Sequence, residues 1–460
     1  MNFNKVNNIT GWIVCIIACA VYILTAEAGG SLWDCGEFVS SCFKLQVPHP
    51  PGAPLFVVIG RIFIVLFGDN PLTAAKAVNI MSALASGFTI LFLFWTITHF
   101  TRKIYQKAHA ALSAEKVFTI MAAGVVGALA FTFSDSMWYS AVEGEVYAFS
   151  SFLTALVFWM MLKWEHNADE PGADRWIVLL FFVIGLSIGI HLLNLLTIPA
   201  IVMIYYFRRY KTTPWGIFWA FIVGCIITGF VQKFVIQYTI TGSGIFDRWF
   251  VNGLGLPFFS GFTAYFVLLG IVILIGIRKA DKLINNFTGF AVWLSVFIFL
   301  FSFPYITSFL SFLLFVAGTA IIVYAAYHSR LKILNFLKLG LWCFAFILIG
   351  YSTYLTTMIR SAANPSVDMY NVDNPMSLVG YVVREQYGDF PLIYGQTFAA
   401  DVKRNADGTP MVKEKGYRWQ KGDNKYINIG KNFEYEYEDE DMMFLPRIWD
   451  ASNDQGHANY

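Results

Sequence analysis

Runs of about twenty mostly apolar residues recur along this chain, and a helix needs a run of that length to cross a bilayer. Eleven can be marked, from 11–26, 72–98 and 117–133 near the start to 337–357. The stretch 176–207 is divided in two because the polar pair His191 and Asn194 falls at its middle. Of the 460 residues 57% are apolar and 13% charged, against about 25% charged in a soluble domain. One large water-soluble globule is therefore excluded. A net charge of +2 without a basic tract excludes a nucleic-acid binder. Residues 1–359 carry 35 charged residues and residues 360–460 carry 27. The expected organisation is a transmembrane domain over 1–359 and a soluble tail over 360–460. The expected fold is an all-α polytopic bundle with a small α/β tail.

Basic residues orient the bundle. Stretch 55–67 is short and interrupted by Gly60 and Arg61, so it is expected to be re-entrant or interfacial. With the N-terminus inside, sixteen basic residues before the tail fall on the inner side and five on the outer, a strong positive-inside bias. The tail then lies outside, and Glu27, Asp34, Glu37, Asp69, Asp135, Glu143, Glu145 and Asp247 collect at the outer surface. Carboxylates at membrane depth are costly and usually functional.

Three segments carry the candidate chemistry. Asp34 and Glu37, at i and i+3, share a helix face and can divide acid and base labour. The run from Val47 to Leu55 has four prolines in seven residues. It forms a rigid elbow that carries His49. The run from Phe133 to Tyr147 combines Asp135, Glu143 and Glu145 with Trp138, Tyr139 and Tyr147. Carboxylates that accept hydroxyl protons and aromatic faces that stack on sugar C–H surfaces suit a sugar site. His191 reads either as a substrate contact or as a satisfied interior histidine. Asn79 and Lys76 sit in the first turns of a span. Arg61 and Arg360 are the phosphate candidates, Arg being suited to bidentate contacts. The glycine-rich stretch 242–257 reads as an external loop and mobile cover. Cys35 and Cys42 could pair only if the loop between them is not helical.

Together, Leu32-Trp33-Asp34-Cys35-Gly36-Glu37-Phe38, the elbow His49-Pro50-Pro51-Gly52-Ala53-Pro54-Leu55, and Asn79 with Ser82 resemble a bacterial multi-pass membrane family. That family is similar to the animal protein O-mannosyltransferase transmembrane protein 260. Glu145-Val146-Tyr147, Gly189-Ile190-His191, Asn252-Gly253-Leu254-Gly255-Leu256-Pro257, Tyr351-Ser352-Thr353-Tyr354 and Arg384-Glu385-Gln386-Tyr387-Gly388-Asp389 extend the resemblance over about residues 10–395. It implies a GT-C type glycosyltransferase in the bacterial inner membrane, with a periplasmic tail. Such an enzyme moves a sugar, mannose by analogy, from a polyprenyl phosphate to a hydroxyl of a protein or glycan. The catalytic acid of the first outer loop matches Asp34, with Glu37 beside it. His49, Asn79, Trp138, Glu143, Glu145, Tyr147, His191, Arg61 and Arg360 are the expected substrate contacts. No cofactor is required by this chemistry, although the carboxylates could hold a divalent metal. Relatives continue into a longer soluble region, so the tail reads as incomplete. The alternative is a polytopic transporter or lipid flippase. A transporter would place its ionisable groups near the midplane and often shows inverted repeats, and neither is visible here.

Overall fold

The computed structural model describes residues 2–106, 112–387, 393–397 and 400–446. Helix α1 (Phe3–Thr25) leads through two short helices, α2 (Cys35–Lys44) and α3 (Pro54–Leu66), into α4 (Pro71–Tyr105). Then come α5 (Ala114–Thr132), α6 (Asp135–Val142), α7 (Val146–Asn167), α8 (Arg175–Ile188) and α9 (Ile198–Arg209). The chain continues through α10 (Pro214–Phe230), α11 (Thr239–Leu254), α12 (Ser260–Leu283), α13 (Phe287–Ser302), α14 (Phe309–His328) and α15 (Arg330–Tyr351). Two short helices, α16 (Leu355–Ser361) and α17 (Pro375–Val382), precede four strands: β1 (Tyr394–Gln396), β2 (Val412–Lys421), β3 (Tyr426–Tyr435) and β4 (Met442–Phe444). Antiparallel pairs β1–β4 and β2–β3 form two small sheets. The sequence also reads as a short strand over 390–394; residues 390–392 lie outside the described ones, and β1 begins at Tyr394.

Ten helical runs among the described residues are long and apolar enough to cross a membrane. The expected eleventh, α8, has 14 residues, a rise of about 21 Å. The segment from Asp174 to His191 nevertheless runs antiparallel to α7 from Trp164 back to Tyr147. At one end Trp164 Nε1 donates to Asp174 (3.1 Å); at the other the Tyr147 and His191 rings lie 5.3 Å apart. The break at His191 is thus a reversal of the chain. By contrast, α3 keeps both ends on one side. Its Leu55 N–H donates to Gly189 O (2.8 Å), and Asp69 at its exit leads straight into α4.

Helix α4 is the central column, with residues in both hydrophobic clusters. Small residues set the closest crossings. A Cβ on Gly185 would lie 2.3 Å from Ile347 O, and one on Gly350 would lie 2.5 Å from Phe182 O, so α8 and α15 meet backbone to backbone.

One expectation is corrected in α11. The glycine-rich stretch from 242 is a helix, continuous with α10 from Pro214 to Leu254, and not a loose cover. Its glycines serve packing: a Cβ on Gly244 would meet Val379 Cγ2 at 2.7 Å, and one on Gly242 would meet the Tyr265 ring at 3.0 Å. Asp247, expected at the surface, is fully buried. Cys35 and Cys42 begin and nearly end one helix and are both free, which removes the disulfide option.

Candidate active site

The starts of α4 and α7 and the ends of α1, α8 and α15 meet at one end of the bundle, where α2, the proline elbow and α17 cover them. Asp34 is the N-terminal cap residue of α2 but makes no side-chain capping bond. Its carboxylate is 55% exposed and free for other work. Glu37, one turn on, accepts from the backbone N–H of His49 and from its Nδ1, both at 2.7 Å. This fixes the ring so that Nε2 faces the Asp34 carboxylate at 3.8 Å. The His49–Glu37 hydrogen bond raises the affinity of His49 for its proton and holds Glu37 below the usual carboxylate range. His49 is therefore neither a plain cap nor a free ligand. It is a cation-forming link between two carboxylates.

The elbow is clamped from the tail. Tyr381 donates to Pro48 O (2.5 Å), and a Cβ on Gly52, whose φ is +88°, would lie 1.9 Å from the Tyr381 hydroxyl. Only glycine fits there.

The third acidic segment closes on the first. Cys35 Sγ lies 3.9 Å from Glu145 Oε1. Glu145 caps α7, accepting from Val146 N–H (3.2 Å). Burial, helped by the charges of Asp34 and Glu143, pushes its carboxyl up to about 7. The same burial, with Glu143 and Glu145 beside it, pushes the Cys35 thiol up to about 12, so Cys35 is an inert packing residue. Burial, then the Arg384 charge, lowers the affinity of His191 for a proton; its Nδ1 accepts from Leu193 N–H (3.2 Å).

The elevated Glu145 gives a stability prediction. A carboxyl that holds its proton more tightly when folded contributes stability below pH 4.5, and this contribution is lost as pH rises through about 7. The loss is on the order of 3 kcal/mol. Glu145→Gln keeps the capping oxygen and removes the titration. Thermal unfolding from pH 5 to 8 is therefore expected to vary less in Glu145→Gln than in the parent; identical slopes would place Glu145 in water.

Several expected contacts have other duties. Asn79 is buried and donates to Glu27 O (2.9 Å) and Gly29 O (3.0 Å). With Lys76, whose ammonium bonds Ala26 O (2.6 Å), it moors the loop that carries Asp34. Trp138 donates to Thr25 Oγ1 (3.0 Å) and ties α6 to the end of α1. Arg61 is bound to Asp69 (2.6 Å) and Phe43 O (2.8 Å). Arg360 is bound to Leu45 O (2.8 Å) and Lys44 O (3.3 Å). Both arginines support the backbone below the elbow.

The cation that bears on the two histidines is one the sequence did not single out for phosphate. Arg384, exposed just after α17, bears electrostatically on both His49 and His191. Its motif, Arg384-Glu385, was the only signal. The arrangement thus offers an exposed carboxylate, a buried carboxyl of raised proton affinity, a fixed imidazole and a guanidinium that bears on both histidines. Ligand atoms of Asp34, Glu37 and His49 also lie within 4.8 Å of one another, so this trio could hold a divalent cation with mixed oxygen and nitrogen donors.

Over residues 34–214 the chain matches the family model described as protein O-mannosyl-transferase TMEM260 N-terminal domain. A second model, a family of unknown function, matches residues 388–460. Protein O-mannosyl-transferase tmem260 of Dictyostelium discoideum is 26% identical over 157 residues, which is 34% of this chain and 17% of that protein. Protein O-mannosyl-transferase TMEM260 of Mus musculus is 27% identical over 169 residues, 37% of this chain and 21% of that protein. The matched stretch thus spans about a fifth of these relatives' length. No solved structure matches the chain. The match to the TMEM260 domain includes Asp34, Glu37, His49, Glu145 and His191 but stops short of Arg384.

Proposed function

We propose that the acid-bearing end of this bundle transfers a sugar, mannose by the relatives' names, from a polyprenyl-phosphate donor to an acceptor hydroxyl of a protein or glycan. The observation that carries this reading is the convergence of Asp34, His49 and Glu145, from three separate segments, with Arg384 close enough to bear on His49 and His191. A polyprenyl-phosphate sugar is already activated, so no nucleotide is needed. The acceptor O–H gives its proton to Asp34 as its oxygen attacks the anomeric carbon. The bond from that carbon to the phosphate oxygen breaks, and the electron pair leaves with the phosphate. Arg384 balances the charge on the departing group. One displacement inverts the anomeric centre. Glu37 holds His49, whose Nε2 is thereby turned toward the Asp34 carboxylate. Glu145, carrying its proton, donates to a sugar hydroxyl, and Tyr147 and His191 offer an aromatic wall.

The sixteen-to-five division of basic residues supports a non-cytoplasmic position for this end.

The test is transfer of labelled mannose from its polyprenyl phosphate to an acceptor peptide or glycan by the purified protein. Movement of label across a vesicle without bond formation would instead support a transporter. Within the same assay, Arg384→Gln is expected to lower kcat/KM by about 100-fold, with partial recovery in Arg384→Lys. An unchanged value would take Arg384 out of phosphate binding.

A further inference from the structure

The opposite end of the bundle holds a pocket that the transfer reaction does not use. It has a volume of about 440 Å³ and lies between the first turns of α1 and the last turns of α4 and α7. Along α4, Arg102 in its wall is 23 residues from Asn79 below the acid site, about 35 Å by helical rise. The two sites therefore belong to opposite faces of a membrane.

The walls are aromatic and the rim is basic. Trp95 and Trp159 stack at 5.7 Å, and Trp12 meets Trp95 edge to face at 6.3 Å. Arg102 lies over the Phe3 ring at 4.6 Å and Lys163 over Trp159 at 4.9 Å. Among the described residues neither cation has a carboxylate partner. The nearby acid, Glu165, is already held by His99 (3.0 Å) and Lys103. Two polar atoms of the lining, Asn7 Oδ1 and Trp95 Nε1, are buried without a hydrogen-bond partner. Such groups are normally satisfied.

We infer that this pocket binds the phosphate headgroup of an anionic phospholipid, with Arg102 and Lys163 on the phosphate and an acyl chain along the tryptophan wall. Basic pockets between transmembrane helices recognise such headgroups, and amphipathic rings suit the boundary between chain and headgroup. Trp95 Nε1 is packed against α1 at Gly11 and closed to the pocket, so the headgroup contacts fall to Arg102 and Lys163. The lipid would fasten the start of α1 to α4 and α7.

Native mass spectrometry of the full chain, titrated with phosphatidylglycerol or phosphatidylcholine, tests this. Bromine-labelled chains in a parallel sample report proximity by quenching tryptophan fluorescence. The parent is expected to retain one tightly bound phosphatidylglycerol in preference to phosphatidylcholine, with quenching. Lys163→Gln, which leaves no ion pair broken, is expected to weaken that binding about tenfold and to lose the preference. Lys338→Gln, which removes a cation paired with Asp281 away from the pocket, is expected to leave it unchanged. Equal retention of the two lipids by the parent, or unaltered binding by Lys163→Gln, would overturn the inference. Displacement of the lipid by an equal concentration of inorganic phosphate would overturn it too, because the chains would then contribute nothing.

Discussion

Asp34→Asn is expected to reduce sugar transfer by about 1,000-fold while leaving the thermal unfolding midpoint within a degree or two of the parent. The size follows from the role: removing a general base typically costs 10²–10⁴-fold. The unchanged stability follows from the geometry. The carboxylate is more than half exposed and caps nothing, so the amide leaves no buried donor unsatisfied. Its nearest charged neighbour, His49, keeps its bonds to Glu37. Kinetics and calorimetry on the same preparation separate the two effects. Parental turnover in a folded Asp34→Asn protein would remove Asp34 from the chemistry.

Asp247→Ala is expected to do the reverse and damage the fold first, by about 3–5 kcal/mol. Asp247 is fully buried in α11. It accepts from the backbone N–H groups of Phe259 (3.1 Å), Gly261 (3.0 Å) and Phe262 (3.2 Å), and from the Tyr426 hydroxyl (2.7 Å). Alanine would orphan all four donors at once. The Tyr426 bond is also the latch of the β2–β3 hairpin, seconded by Asn252, which bonds both the N–H and the C=O of Tyr426 (2.8 Å each). The hairpin in turn reaches Glu385 through Asn432, next to Arg384. The variant should therefore expose the hairpin to limited proteolysis and lose part of its transfer rate. An unmoved unfolding midpoint with a protected hairpin would contradict this account of the docking.

The bundle was readable in the sequence because a bilayer imposes a length on every crossing. The reversal at His191 was readable for the same reason: a polar pair in the middle of 32 residues is a poor centre for one span. Asp34, Glu37 and Glu145 stand out in the sequence as acids that are costly in a lipid-facing chain. Their partners stand out less. The Glu37–His49 bond spans 12 residues across a proline elbow, and nothing local encodes it. Arg61 and Arg360 looked like phosphate ligands because a sequence does not reveal which carbonyls a guanidinium will find. Arg384 was passed over because its nearness to His49 and His191 is a product of tertiary folding. The loop expected over 242–257 holds only from Gly255 (φ +66°); before it, glycine signals no turn but lets α11 approach Tyr265 and α17. Burial, which lifts Glu145 to about 7, is likewise invisible until the segments are packed.

The most direct measurement is a cryo-electron microscopy map of the protein with a non-transferable analogue of a polyprenyl-phosphate sugar. The account predicts sugar density beside Asp34 and Glu145, with the phosphate turned toward Arg384. Density for that sugar only at the far end of α4, near Arg102, or along the middle of the bundle, would contradict it.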